Sequence, residues 1–518
     1  MKNTPIYSLI ITIFLPFYGF SQPAIEWQET YGGSANENFA SMIMTEDLGY
    51  LLCGTTFSSD GDITFNHGGS DVWVVKLNNA REIEWQKTYG GNVTDNDVSA
   101  VQLEDGYLLT ATSESTTGDV SGNHGGGGDV WLFKIDLDGN LIWQKCLGGN
   151  SNDFSKDIRP TTDGNFIFVA YSASTNGNIE EYYGSEDLWI MKINADGDSI
   201  WEANIGDIGS DQVYGMAITG DGGCILVGQT FSTTGIFSEN HGFGDLIAVK
   251  IDATGNMEWA HAYGGTYGEV AFSVLETTGG NFMVVGQTAS TDGQVTDNHG
   301  GNDIWLLKLN ATGDLIWEKC IGGTGSDNMS YKSKGLIESS PGNYIFSGYT
   351  DSGDGDFTIN KGLYDALLVK FNEEGTILWE KTYGGTLTEN FSSITAAPDG
   401  GYYLTGATYS DDGDIDAENH GGSDAWFLKV EADAVEINDT ETQPSFSLIN
   451  TISTEGIFGI KNPENQPLNI NIFNLHGEIV YATNSSNSLE INVNTATGVY
   501  FLQILSGPYN SIYKIVSL

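Results

Sequence analysis

From Trp27 to Val430 the chain repeats one arrangement of apolar and polar positions seven times. In the first unit a strand-like stretch at Ala40 to Met44 (strand a) is followed by the turn Glu46-Asp47-Leu48-Gly49 and by Tyr50 to Thr56 (strand b). A long loop, Phe57 to Ser70, leads to Asp71 to Leu77 (strand c), and the turn Asn78-Asn79-Ala80-Arg81 leads to Ile83 to Tyr89 (strand d). The second unit carries Asp136-Leu137-Asp138-Gly139-Asn140 at the c–d turn, whose Asp, Asn and Gly residues favour tight turns. Nothing in this span has helical periodicity. The repeat is counted on its tryptophans: Trp27, Trp85, Trp143, Trp201, Trp259, Trp317 and Trp379 follow one another at 58 residues, and at 62 for the last step. Each is followed by a Gly-Gly pair such as Gly32-Gly33 or Gly90-Gly91, except Gly206-Asp207.

Four short antiparallel strands cannot bury both faces of a sheet alone, but seven such units stacked radially can. The pattern therefore predicts an all-β fold, a seven-bladed β-propeller with four-stranded blades. A β-helix would repeat at a much shorter period, and separate β-sandwiches would need more strands per unit. The chain enters the repeat at a strand d (Glu26 to Tyr31) and leaves it after a strand c (Asp424 to Val430). Pairing these two closes the ring with a strand from each end and removes two open edges.

The ends of the chain differ from the repeat. Lys2, the apolar run Ile6 to Phe17 interrupted by Pro16, and Gly19-Phe20-Ser21-Gln22-Pro23 predict a signal peptide over 1–21, cleaved near Ser21. That run is too short to span a bilayer, and no cysteine near it invites a lipid anchor. No other segment is apolar enough to cross a membrane. Residues 431–445 are acidic and polar, contain Pro444, and predict a linker. Residues 446–518 predict a small β-sandwich with strands at Asn469 to Asn474, Glu478 to Tyr481, Leu489 to Val493, Val499 to Ile504 and Ile512 to Val516.

Two resemblances follow from these motifs. Asp129-Val130-Trp131-Leu132-Phe133-Lys134-Ile135, then Asp138-Gly139-Asn140-Leu141-Ile142-Trp143, then Gly148-Gly149, resembles the β-propeller repeats of bacterial secreted and cell-surface proteins, over roughly residues 24–430. Ile472 to Tyr481, Gly498 to Ile504 and Lys514-Ile515-Val516 resemble the C-terminal sorting domain of the type IX secretion system. That family opens with a Pro-Asn-Pro-type turn, whereas this chain reads Leu448-Ile449-Asn450-Thr451 there. The second resemblance implies export across the outer membrane through contact with the secretion machinery, and release or anchoring at the surface afterwards.

Composition narrows the partners. With 20 basic and 69 acidic residues the net charge is −49, which repels nucleic acid and anionic membranes. The acid is spread through the repeated loops rather than gathered in a tail. The four cysteines, Cys53, Cys146, Cys224 and Cys320, match no zinc or redox spacing and are expected as buried free thiols.

Candidate chemistry belongs to the face that carries the elaborate b–c and d–a loops, because the a–b and c–d connections are tight turns. A carboxylate stands ten residues after every repeat tryptophan: Glu37, Asp95, Asp153, Asp211, Glu269, Asp327 and Glu389. Seven copies favour a joint between blades over a binding or acid–base site. The Asp that opens each strand c (Asp71 to Asp424) is expected to cap a turn, and the late strand-c lysines (Lys76 to Lys429) are expected to pair with nearby acid. Asp-Gly-Asp clusters in the b–c loops raise calcium as a cofactor, with Asp60, Asp62, Asp412 and Asp414 as ligand candidates. The full calcium-loop spacing with its final Glu is missing, so no cofactor is the expectation. The loop histidines sit one per blade and are expected as satisfied loop residues.

Units that depart from the repeat are the better places for specificity. The third has Glu180-Glu181-Tyr182-Tyr183-Gly184 in place of the histidine motif, the fourth carries Phe243, and the sixth carries Tyr364 and four extra residues around Asn328 to Gly335 with Lys332 and Lys334. Tyr182, Tyr183, Phe243, Lys332, Lys334 and Tyr364 are the candidate ligand-binding residues, for a glycan or protein ligand. No nucleophile elbow, phosphate loop or zinc protease motif is present. The expected function is an exported binding or adhesion propeller, acting as a monomer. The alternative is a secreted polysaccharide hydrolase or lyase that uses carboxylates at the channel mouth.

Overall fold

The computed structural model describes residues 22–179, 181–330 and 334–432, and, in the C-terminal part, 447–448, 452–453, 457–462, 467–474, 479–492, 498–506 and 509–517. The predicted signal peptide and most of the predicted linker lie outside the described residues. The chain divides into two compact units, Met1–Ala434 and Val435–Leu518.

The first unit is built of antiparallel sheets in chain order. In the first sheet Glu37–Met44, Tyr50–Thr56, Asp71–Leu77 and Ile83–Tyr89 pair consecutively. Strands b, c and d fall where the pattern predicts them, whereas strand a begins three residues earlier, at Glu37. The second to fifth sheets repeat this order, with first strands at Asp95–Leu103, Asp153–Pro160, Asp211–Ile218 and Glu269–Glu276. In the sixth sheet the four extra residues split the first strand into Asp327–Asn328 and Leu336–Ser340, both paired to Asn343–Thr350. The seventh sheet takes its outer strand from the other end of the chain: Ile25–Tyr31 pairs antiparallel with Asp424–Val430, as the phase of the repeat predicts. One 3-10 turn, Gly235–Phe237, interrupts the b–c loop of the fourth sheet.

The first strands touch their neighbours around a complete circuit, from the first sheet through the seventh and back. They are innermost. Strands c are buried on both faces, as in Asp71–Leu77, and strands d are only half-buried, as in Ile83–Tyr89. The apolar core lies between sheets. One cluster joins Leu51, Val72 and Val74 of the first sheet to Val98, Leu109 and Trp131 of the second. Another joins Trp73 and Val75 of the first to Tyr403 and Phe427 of the seventh. No sheet buries its own faces alone, which is why the repeat is required for stability.

Three of the counted tryptophans are seen to clamp one sheet to the next. Trp85 Nε1 donates to the carbonyl of Leu137 at 2.9 Å, Trp201 to Ala253 at 3.2 Å and Trp259 to Ala311 at 3.0 Å, each on the c–d turn of the following sheet. Strand a carries a bulge, and strand b answers it with glycine: a Cβ at Gly54 would stand 1.8 Å from the carbonyl oxygen of Asn38. The cysteines are free, but only Cys53 and Cys224 are buried. Cys146 and Cys320 are half-buried because they stand on outer strands d, which corrects the expectation of four buried thiols.

The second unit has a three-stranded sheet (Ser447–Leu448, Ile457–Lys461, Leu489–Asn492) and a five-stranded one. The latter runs in the order Ile452–Ser453, Tyr509–Ser517, Gly498–Ser506, Leu468–Phe473, Ile479–Ser485. Ile460 and Ile491 of the first sheet share a core with Ile470, Ile472, Leu502 and Ile504 of the second. Among the described residues of the chain, no helix is long and apolar enough to cross a membrane.

Candidate functional site

The seven recurring carboxylates are fully buried and act as joints. Each accepts a backbone N–H, at 2.7–2.9 Å, from the Gly-Gly segment that follows strand d of the preceding sheet. Its other oxygen accepts the hydroxyl at the end of its own strand b, from Thr56, Ser113, Ser172, Thr230, Thr288, Thr350 and Thr408 in turn. One side chain thus holds two sheets and a loop together. The backbone N–H of the same residue bonds the carbonyl just before strand c of the preceding sheet, as Asp95 does to Ser70 at 2.7 Å.

The Asp that opens strand c holds the b–c loop. Asp71 Oδ2 accepts the backbone N–H of His67 at 2.7 Å and lies 2.8 Å from its Nδ1; Asp129, Asp245, Asp303 and Asp424 do the same with His124, His241, His299 and His420. Tyr183 and Lys361 replace the histidine in the third and sixth sheets and keep the backbone bond. The bonded Asp424 carboxylate raises the His420 pKa. The second oxygen, Oδ1, of all seven aspartates is buried without a hydrogen-bond partner among the described residues. It lies beside the joint carboxylate of the next sheet: a Cβ at Gly90 would stand 2.7 Å from Asp71 Oδ1 and 2.5 Å from Asp95 Oδ2. This crowding explains the glycine. Burial, reinforced by the neighbouring acid, pushes Asp153, Asp211 and Asp327 up to about 6.

The strand-c lysines pair with acids of the a–b turns and of strand d, for example Lys76 with Asp47 at 2.8 Å and Glu84 at 3.0 Å, and Lys192 with Asp163 at 2.7 Å. The calcium candidates face amide hydrogens of the d–a loops. Asp60 Oδ1 accepts Ser34 N–H at 2.8 Å and Asp62 Oδ2 accepts Gly32 N–H at 3.0 Å; Asp412 and Asp414 repeat this with Thr386 at 2.7 Å and Gly384 at 3.1 Å.

The ligand-binding candidates do not form one cluster. Tyr182 and Tyr183 are exposed on the b–c loop of the third sheet, and the Tyr183 hydroxyl donates to Glu181. Phe243 is 76% exposed on the fourth, and Tyr364, half-buried on the sixth, packs edge-on against Tyr349. Lys332 lies outside the described residues. Lys334 is not with the loop aromatics. Its ammonium reaches across the ring of first strands to donate to Ser99 Oγ of the second sheet at 3.2 Å, and stands 3.7 Å from Asp157 Oδ1 of the third.

Several residues of this arrangement were missed from sequence. Asp157, fully buried, accepts Arg159 Nε at 2.6 Å and Ser99 Oγ at 2.8 Å. Burial alone would raise its pKa, but the Arg159 and Lys334 charges and the Ser99 hydroxyl hold it below the usual carboxylate range. A cavity of about 550 Å³ opens beside Lys334 and Arg159, walled by the ends of first strands, including Met42, Val101, Ile158 and Ile394. The signal was the exception to the repeat: Asp157 stands where units one, two, five and seven carry Ser41, Ser99, Ser273 and Ser393. Exposed apolar residues of the d–a loops were missed as well. Ile208, Tyr267 and Leu387 sit beside the irregular b–c loops, through Ser185 N–H to Gly209 at 2.8 Å, Phe243 N–H to Thr266 at 3.2 Å and Leu363 N–H to Leu387 at 2.8 Å.

Comparison with known proteins bears on the C-terminal unit first. Residues 453–517 match the family described as the secretion system C-terminal sorting domain. A type IX secretion sorting domain therefore ends the chain, and it directs export to the outer surface or extracellular space. The match begins just after the segment Leu448 to Thr451 that departs from the family's opening turn. Among solved structures, the chain is similar to PorZ, a bacterial surface component of the type-IX secretion system of Porphyromonas gingivalis, at 10% identity and a TM-score of 0.40, covering 94% of this chain and 60% of that one. The chain therefore spans less than two thirds of the length of PorZ. It is also similar to the WD40 domain of Neurospora crassa Pan2 (8% identity, TM-score 0.42, covering 76% and 89%) and to a puromycin hydrolase (12% identity, TM-score 0.43, covering 73% and 51%). A comparison with curated proteins finds no match. The chain is an exported all-β protein with a propeller-like architecture.

Proposed function

We propose that the chain is an exported binding or adhesion protein in which the seven sheets are the blades of a closed β-propeller and the C-terminal unit is a small sandwich. The ligand, a glycan or a protein segment, docks on the face formed by the b–c and d–a loops. One observation carries this reading. In the third, fourth and sixth sheets an irregular b–c loop pairs with the next d–a loop, and both members expose large apolar side chains: Tyr182 with Ile208, Phe243 with Tyr267, Leu363 with Leu387. Large apolar side chains gathered on one exposed face favour an interaction site there. The hydrolase or lyase alternative has less support, because each carboxylate at the channel mouth is buried and already accepts hydrogen bonds from the scaffold.

The test is retention of the purified full chain on glycan and peptide arrays, with soluble polysaccharides assayed in parallel for shortening. The expected outcome is retention that falls at least about tenfold in a Phe243→Ala/Tyr267→Ala double variant, equivalent to about 1.4 kcal/mol, and no shortening. Shortening that disappears in Asp153→Asn would replace the binding reading with the enzymatic one.

A further inference from the structure

At several junctions the residue two positions after the repeat tryptophan makes a cross-sheet contact. Lys87 Nζ donates to Asn140 Oδ1 on the c–d turn of the second sheet at 2.7 Å. Lys145 Nζ donates to the carbonyls of Asp196 and Gly197 and to Asp198 Oδ1 on the turn of the third, each at 2.9 Å. His261 Nε2 lies 3.2 Å from the carbonyl of Thr312 on the turn of the fifth. Between the seventh and first sheets the charges are exchanged, with Glu29 on the strand and Arg81 on the turn 3.5 Å apart. The turn is thus a socket for a side chain from the preceding sheet.

Between the third and fourth sheets that position is Ala203, which has no head group to offer. The receiving turn is nevertheless built. Asn256 Nδ2 bonds Asp252 Oδ2 at 3.0 Å, as Asn140 Nδ2 bonds Asp136 Oδ2 at 2.9 Å, so Asn256 Oδ1 is held as Asn140 Oδ1 is. The carbonyl oxygens of Thr254 and Gly255, the counterparts of those that receive Lys145, accept no hydrogen bond among the described residues. A groove of about 640 Å³ lies here, lined by Glu181, Tyr183, Glu202, Ile205, Ile236 and Met257. The corresponding groove between the first and second sheets, which Lys87 and Tyr89 fill, has about 320 Å³. Ala203 and Ile205 stand where the first junction has Lys87 and Tyr89.

We propose that this groove receives a lysine side chain from a partner polypeptide. The ammonium takes the place that the amine of Lys145 occupies one junction earlier, against the carbonyls of Thr254 and Gly255 and Asn256 Oδ1. Its aliphatic stem lies along Ile205, Met257 and the Tyr183 ring, and Glu181 supplies the opposite charge. A compact ammonium with three donors suits converging carbonyls better than the planar guanidinium fork. The acidic field of the chain favours approach of a basic segment. Through Glu181 and Tyr183 this groove borders the loop-face patch at Tyr182 and Ile208, but its ammonium socket is the c–d turn of the fourth sheet, which the loop-face reading does not use.

The test uses the full chain and end-blocked Gly-Lys-Gly peptides, with lysine, acetyl-lysine or norleucine at the centre, read by titration calorimetry. The lysine peptide is expected to bind at least about tenfold more tightly than either analogue. Ala203→Lys, which fills the groove from within, is expected to abolish binding while keeping the parent's circular dichroism spectrum and melting at or above the parent's temperature. Glu181→Gln, a surface change, is expected to weaken binding about threefold or more. Equal affinity for the norleucine or acetyl-lysine peptide, unchanged affinity in a folded Ala203→Lys, or no binding of the lysine peptide at millimolar concentration would overturn the assignment. Binding of n-butylamine as tight as that of the lysine peptide would overturn the polypeptide partner.

Discussion

Replacing Asp153 with Asn isolates what a joint carboxylate does. Asp153 is fully buried, accepts Gly149 N–H at 2.8 Å and Ser174 Oγ at 2.9 Å, and also accepts the Ser172 hydroxyl. Its pKa rises from 3.8 to about 6, first through burial and also through Asp129. A folded-state pKa above the unfolded value gives stability that is present below the unfolded pKa and lost as pH rises through the folded one. About two pH units correspond to roughly 3 kcal/mol lost by the parent between about pH 4 and about pH 7.5. Asn has nearly the same shape and does not ionise, so the variant escapes that loss. At about pH 4, where the parent carboxyl is itself protonated, the variant is expected to lie within about 1 kcal/mol of the parent. By about pH 7.5 the difference should move by about 2 to 3 kcal/mol in favour of the variant. Urea denaturation of parent and variant across this range measures it. Parallel pH profiles for the two proteins would refute the idea that the joint acid is held against its ionisation. Acids paired with lysine act in a separate window. Asp47 is lowered to about 2, burial being outweighed by its bond to Lys76, so its contribution is lost only as pH falls below about 4.

Further outcomes follow from the same geometry. Gly54→Ala should cost about 3 kcal/mol or more in urea denaturation, because its Cβ meets the Asn38 carbonyl at 1.8 Å; a cost below about 0.5 kcal/mol would show that the bulge yields. Deleting residues 23–33 should abolish the parent's cooperative melt, since Asp424–Val430 loses its strand partner and Phe427 loses Trp27 at 5.0 Å; a truncated chain that melts like the parent would contradict closure by the two ends. Calcium or a chelator should leave the melting temperature unchanged, since Asp60 and Asp62 already accept backbone N–H groups; a rise with calcium would show that the loops rearrange to bind it.

The repeat was legible because the same physical needs recur from junction to junction: a glycine beside two acids and a serine or threonine at the end of strand b throughout, and a tryptophan clamp at several. Each appears in the sequence seven times or nearly so, and strands b, c and d of the first unit fall where the pattern puts them. Recurrence also separated scaffold from site, since Glu37 and its six counterparts turned out to be saturated joints. What the sequence hid depends on contacts far apart in the chain. Nothing in the segment around Lys334 says that its ammonium crosses to Ser99, 235 residues away. The partners were marked only by Asp157 and Arg159, charged residues at positions that other units fill with uncharged side chains such as Ser99, Val101 and Thr395. Ala203 hid for the opposite reason. A small residue in a strand draws no notice until the lysines at the same position in other units are seen to reach the next sheet.

The most direct test of loop-face binding is hydrogen–deuterium exchange of the full chain with and without the array probe it retains best. Protection is predicted in the b–c and d–a loops of the third, fourth and sixth sheets, at Tyr182, Ile208, Phe243, Tyr267, Leu363 and Leu387. Protection confined to the c–d turns, or to the channel around Asp157 and Lys334, would contradict it.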